Sequence, residues 1–263
     1  MKIWLKRIFW TLLILGVFVV FYLAGQTEAN RIVNKPMVAI HSSDENTFLT
    51  EQELLKRLEF KILLNKNMRL KSLRVQHLEH AIALMPEVKE VNVFRELGAN
   101  LQIDVTLRKP IARIFNMQGE SYYIDQEGFM MNRSALHTAR VLVFSGQIYQ
   151  AYNPRIHCGF INNNNLKSSK IIDQIFHISN YVCNDPLMHR LIGQVYLDSK
   201  GDFILIPVLG EQQIVFGSAH NDKEVADKFE RLKHFYKEAL PHEGWNKYKE
   251  ISVKYEGQIV CRK

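Results

Sequence analysis

Between Pro36 and Pro110 the apolar positions change period twice. Met37, Val38 and Ile40 suggest a short strand. Thr50 followed by Glu53 is a capping box, so a helix starts at Glu51 and carries Leu54, Leu55 and Leu58 inward. Val75, Leu78, Ile82 and Met85 recur at helical spacing, and Pro86 stops that helix. The period then falls to two. Val91 and Val93 alternate with Asn92 and Phe94. After a turn at Gly98-Ala99-Asn100, Leu101, Ile103, Val105 and Leu107 alternate with polar neighbours. Strand, helix, helix, strand, strand is the predicted order, with the helices covering one face of a small sheet.

Beyond Ile111 strands dominate. Ile111–Phe115, Tyr122–Ile124, Phe129–Met131 and Val141–Phe144 are short apolar runs, with Asp125-Gln126-Glu127-Gly128 as a turn. The run Asn162–Asn165 predicts a solvated loop. Ser168 or Ser169 then caps a helix with Ile172, Ile175, Phe176, Ser179 and Val182 inside. Gly193–Leu197 and Phe203–Ile206 flank Asp198–Asp202 as a hairpin, and Ile214–Phe216 follows. Asn221 and Glu224 resemble a second capping box, ahead of a helical face of Val225, Phe229, Leu232 and Tyr236. Last comes a hairpin, with Ile251, Val253 and Tyr255 on one side, a Glu256-Gly257 turn, and a return from Gln258 to Arg262.

Ile8 to Gly25 is a different kind of segment, uncharged throughout. As a helix it reaches ~27 Å, close to the hydrocarbon thickness of a bilayer. A cleaved signal peptide would have a shorter apolar stretch and a small-x-small site, and Gln26-Thr27-Glu28-Ala29 is a poor one. A core helix would keep a polar face, which Val17–Leu23 lacks. The reading is an uncleaved anchor in the lipid bilayer at 8–25. Lys2, Lys6 and Arg7 precede it and the next basic residue is Arg31, so the N-terminus is expected in the cytoplasm and the remainder outside. The expected organisation is a cytoplasmic start at 1–7, the anchor at 8–25, a spacer at 26–35, one domain at 36–110 and a second at 111–263.

The net charge of +7 comes from 34 basic and 27 acidic residues, and the three basic residues before the anchor account for part of it. The excess is spread thinly, and no nucleic acid is expected as a partner. Cys158, Cys183 and Cys261 are far apart, with no CxxC. Cys158 and Cys183 are either bridged or buried as free thiols. His77 and His80 share a helix face at i, i+3, where Leu78 and Ile82 already define the buried stripe, so a solvated surface is the reading. His157-Cys158 has no third partner in view. Asp198 and Asp202, like Asp125 and Glu127, suit turns. No phosphate loop, HExxH or GxSxG is present. The expectation is no enzyme, with no catalytic, cofactor-binding or metal site.

The terminal strand carries more weight. A last strand often lies at a sheet edge, with one row of backbone N–H and C=O groups unpaired. Such an edge can take up a strand from a partner. Tyr255 is placed to act as an aromatic anchor, while Lys254, Arg262 and Lys263 blunt the edge in part.

In order along the chain, several segments resemble the FtsQ (DivIB) family of bacterial cell-division proteins. They are Val88–Val93, Leu101–Val105, Arg108–Arg113, Tyr123–Gly128 and Ile251–Val260, together with the single span and a unit similar to a POTRA domain. The resemblance implies an α+β chain, with an N-terminal transmembrane helix, a POTRA-like βααββ domain and a mainly antiparallel C-terminal β domain with flanking helices. It also implies a non-enzymatic inner-membrane scaffold at the division site. Its partners would be FtsB- and FtsL-like proteins, with other division proteins reached through the POTRA-like unit. A partner strand would add to Gln258, Ile259, Val260, Cys261 and Arg262, beside the Gly257 turn. Tyr255 would be the turn-proximal tyrosine, and Lys254 would stand where an arginine often meets a partner carboxylate. Two other readings are a POTRA-containing polypeptide transport or assembly component and an exported, membrane-anchored cell-wall enzyme.

Overall fold

The computed structural model describes residues 2–42, 48–65, 67–134, 137–154, 158, 167–244 and 247–263. Asn162–Asn165 and His157 lie outside them. The first helix, α1 (Lys2–Ala29), contains an apolar stretch at Phe9–Ala29, with a mean hydropathy of 2.0 and none of it buried. By length and composition it is fit to cross a membrane.

The chain divides into two compact units. The first holds the residues up to Ser42 and Leu49–Leu107, and the second holds Phe48 and Arg108–Lys263. In the first, β1 (Met37–His41), α2 (Glu51–Phe60), α3 (Val75–Ala83), β2 (Val88–Arg95) and β3 (Leu101–Leu107) follow in that order. The sheet order is β1-β3-β2, with β1 parallel and β2 antiparallel to β3. Thr50 caps α2 by accepting from the Glu53 N–H at 3.3 Å. The Glu53 carboxylate turns to Arg57 instead, at 2.9 Å, so the capping box is half formed. Leu54 and Leu58 are fully buried, and Leu55 is half-buried at the margin of that face. They meet Leu78 and Ile82 of α3 and Ile103 and Val105 of β3 in one core. On β3 every second residue is buried, as expected where a single sheet face is covered.

The second unit is built on a nine-stranded sheet. Its strands are β4 (Pro110–Phe115), β5 (Ser121–Asp125), β6 (Met130–Met131), β7 (Leu142–Gly146), β8 (Ile192–Leu197), β9 (Phe203–Pro207), β10 (Gln213–Gly217), β11 (Glu250–Ser252) and β12 (Val260–Arg262). The order is β12-β11-β10-β9-β8-β7-β4-β5-β6. Pairing is mainly antiparallel, with parallel contacts at β4–β7, β7–β8 and β10–β11. Helices α4 (Lys167–Asn184) and α6 (Asp222–His234) bury Ile172, Ile175, Ile178, Val225, Phe229 and Leu232 in the sheet's core. Tyr181 of α4 stacks on Phe229 of α6 at 4.6 Å, and Phe229 meets Phe216 of β10 at 4.8 Å. α4 begins at Lys167, so Ser168 and Ser169 lie inside the helix rather than capping it. Between α4 and β8, Asp185 caps the short α5 (Pro186–Leu191) by accepting from the Leu187 and Met188 N–H groups.

The Asp125 turn is tightly built. Asp125 Oδ1 accepts from the N–H groups of Glu127 and Phe129, while Oδ2 takes the Arg108 guanidinium at 2.8 Å. Gly128 is in the left-handed region (φ +87°), and a Cβ there would meet the Cys158 carbonyl oxygen at 2.8 Å. All three cysteines are free thiols, so the bridge considered for Cys158 and Cys183 is not formed. Burial pushes the Cys158 thiol up to about 12.

At the start of α6, Asn221 accepts from the Glu224 N–H at 2.9 Å. Burial alone would raise the Glu224 pKa. Hydrogen bonds from Lys228, the Ser218 hydroxyl and the His220 N–H outweigh it and bring the carboxyl down to about 2. Lys228, itself buried, also donates to the Ser218 carbonyl at 2.6 Å. Because the folded-state pKa lies below the unfolded one, the resulting stability is full above the ordinary carboxylate range and is lost as pH falls towards 2. Discounted for solvent screening of this partly exposed carboxylate, Glu224→Gln is therefore expected to remove about 1–2 kcal/mol at neutral pH and to flatten the fall in stability between neutral and strongly acidic pH. Urea unfolding of both proteins across that range measures it, and parallel pH profiles would contradict it.

Candidate protein-interaction edge

The residues of the predicted interface come together at one end of the nine-stranded sheet. β11 lies between β10 and β12, pairing Ile251 with Ile214 on one side and with Cys261 on the other. β12 ends the strand order, so among the described residues one side of its backbone faces no neighbouring strand. The two strands are shorter than the hairpin expected from sequence. β11 ends at Ser252, and Gln258 and Ile259 precede β12.

Alternation also fails on β11, where Ile251, Ser252 and Val253 are all buried. The residue that follows it is anchored on both β10 and α6. The Val253 N–H bonds to the Val215 carbonyl at 3.0 Å, and Arg231 of α6 donates Nη2 to the Val253 carbonyl at 3.0 Å. Tyr255 therefore does not share a face with Ile251 and Val253. It stands in the connection, 52% exposed. Gly257, at φ +68°, reverses the chain towards β12. On the return, Ile259 and Cys261 pack on the main core while Val260, 38% exposed, and Arg262 face outward. The Arg262 guanidinium lies 3.5 Å from the Glu250 carboxylate directly across the ladder.

Lys254 is already paired within the chain. Its Nζ reaches Asp202 Oδ2 at 2.6 Å, a hydrogen bond that raises the lysine pKa. Asp202 is itself placed by the β8–β9 turn, where Asp198 Oδ1 accepts from the Lys200 and Asp202 N–H groups. The lysine stem crosses Gly217 at the end of β10 (φ +78°), where a Cβ would lie 2.8 Å from Lys254 Cγ. Asp202, Gly217 and Arg231 thus shape the edge although the terminal sequence does not contain them. The turn signature at Asp198–Asp202 is a sequence signal for one of them.

The opposite edge of the sheet differs. β6 is only Met130–Met131, and both side chains are buried, Met131 beside Tyr123 and Phe48. A two-residue edge with both side chains covered resists strand addition. His77 and His80 are exposed on α3, and no group of three metal-ligating side chains occurs among the described residues.

In comparisons with known families, a POTRA-like domain model matches residues 31–106, and a model described as FtsQ/DivIB, C-terminal related matches residues 109–262. No curated protein matches the chain.

Asp202→Asn is expected to weaken the hold on Lys254 and to speed amide exchange across residues 254–258, leaving that of β9 unchanged. Hydrogen–deuterium exchange with peptide resolution measures this. Equal protection in both proteins would show that the ion pair does not restrain the turn.

Proposed function

The chain belongs to the FtsQ/DivIB C-terminal related family, a division-associated and non-enzymatic scaffold, and on that premise we propose that it captures a strand of an FtsB- or FtsL-like partner on β12. The observation that carries this reading is the place of β12 at the end of the sheet, with Ile259 and Cys261 fixed on the core and Val260 and Arg262 outward. The incoming strand bonds to the free backbone row, each bond contributing about 0.5–1.5 kcal/mol net. Specificity comes from Val260, from the exposed Tyr255 ring and from the cationic Arg262. Lys254 contributes by holding the turn through Asp202, leaving Arg262 as the nearer cation for a partner carboxylate.

In this reading α1 is a single span with Lys2, Lys6 and Arg7 on the cytoplasmic side, and both folded units lie outside. The POTRA-like unit, residues 36–110, recruits further division proteins, and the unit at 111–263 holds the strand site. No bond is made or broken. The chain acts by tethering its partners to one place on the membrane.

Val260 is the informative position, because Ile259 packs on the core and its replacement would disturb the fold. Val260→Pro and Val260→Glu are expected to abolish co-purification of an FtsB-like partner with the full chain in detergent, with the melting temperature of Val260→Glu close to that of the parent. Recovery of the partner at parental levels with Val260→Pro would overturn strand addition at β12.

A further inference from the structure

A cavity of about 1060 Å³ opens in the second unit, away from β12 in the strand order. It lies at the N-terminal ends of the three adjacent, parallel-paired strands β4, β7 and β8, which begin at Pro110, Leu142 and Ile192. Val182 and Cys183 of α4 and His189 of α5 close another side. Lys109, Arg140, His137 and His189 line it, and among the described residues no carboxylate does. Lys109, Arg140 and His189 form no ion pair among the described residues. His137 sets its ring edge-on to Phe48, and its Nε2 is buried without a hydrogen-bond partner.

Each of these facts points to an acceptor with negative charge. A buried nitrogen without a partner is destabilising, and an oxygen entering the cavity would supply that partner when Nε2 carries the proton. Two permanent cations in the lining add attraction, with no acidic side chain among the described lining residues to offset it. Size and walls narrow the ligand further. A single carboxylate or phosphate would leave most of the volume empty. The remaining lining includes Ile111, Val141, Leu142 and Val208, which suits aliphatic side chains.

We infer that this cavity binds an acidic polypeptide segment, seating its carboxylates on Lys109, Arg140 and His137 and its aliphatic side chains against the strand ends. It is a second docking place on the same unit, separate from the edge strand and independent of it.

Fluorescence anisotropy of the full chain in nanodiscs of zwitterionic lipid tests this, using a short labelled peptide that alternates glutamate with leucine. Saturable binding is expected, with none for the glutamine-leucine version. Lys109→Glu with Arg140→Glu should weaken binding roughly tenfold or more. Arg140→Gln with His189→Gln, both exposed and safe for the fold, should weaken it less. Lys223→Glu on the outer side of α6 should leave it unchanged. Val260→Pro should also leave it unchanged, which separates this site from the edge. Equal binding by the double reversal or by the glutamine peptide would overturn the inference, as would loss of binding in Val260→Pro. Displacement of the peptide by inorganic phosphate or by phosphatidylglycerol vesicles would assign the cavity to a phosphate group instead.

Discussion

An extended strand presents two rows of backbone hydrogen-bonding groups, and among the described residues β12 meets a strand of its own fold along only one of them. The rest of the second unit holds that strand in a fixed attitude. Ile259 and Cys261 are drawn to the core because α4 and α6 cover the sheet, and the side chains of Val260 and Arg262 are thereby turned to solvent. A strand held by its inward side chains keeps its outer row straight. The ordering cost of presenting it is met during folding.

The segment before β12 is restrained from several directions at once. The helix α6 reaches it through Arg231 and the Val253 carbonyl, the β8–β9 turn through Asp202 and Lys254, and β10 through Val215. None of these contacts is large alone, and the Lys254 pair is too exposed to stabilise the fold much. Their effect is geometric. They stop β11 at Ser252 and leave Tyr255 standing clear of the surface.

Much of this was legible in the residues. The two-residue period of β3 and the helical face Val225, Phe229, Leu232 and Tyr236 were plain because each element buries one face only. Thr50 and Asn221 marked their helix starts through local hydrogen bonds that a short window of sequence contains. The position of the edge strand β12 was readable from its alternation and its place after a Gly turn. Which strands adjoin was not readable, because periodicity reports burial and says nothing of neighbours. The parallel β4–β7–β8 block is one example. Burial of Ser252 and Val253 together, which ends the alternation on β11, follows from anchors on β10 and α6. The Lys254–Asp202 pair spans 52 positions of chain. The cationic cavity likewise gathers Lys109, Arg140 and His189 from segments that no local window joins.

Gly217 shows how far such dependence extends. It sits outside the terminal hairpin, yet the missing side chain is what lets the Lys254 methylenes lie flat against the sheet. Any larger residue would lift that stem, and the reversal after it would swing with the lysine. Damage to the edge strand can therefore originate at a position outside it. In a mutational survey, position 217 would score with the edge strand, although it supplies only the room it leaves and the left-handed backbone it permits.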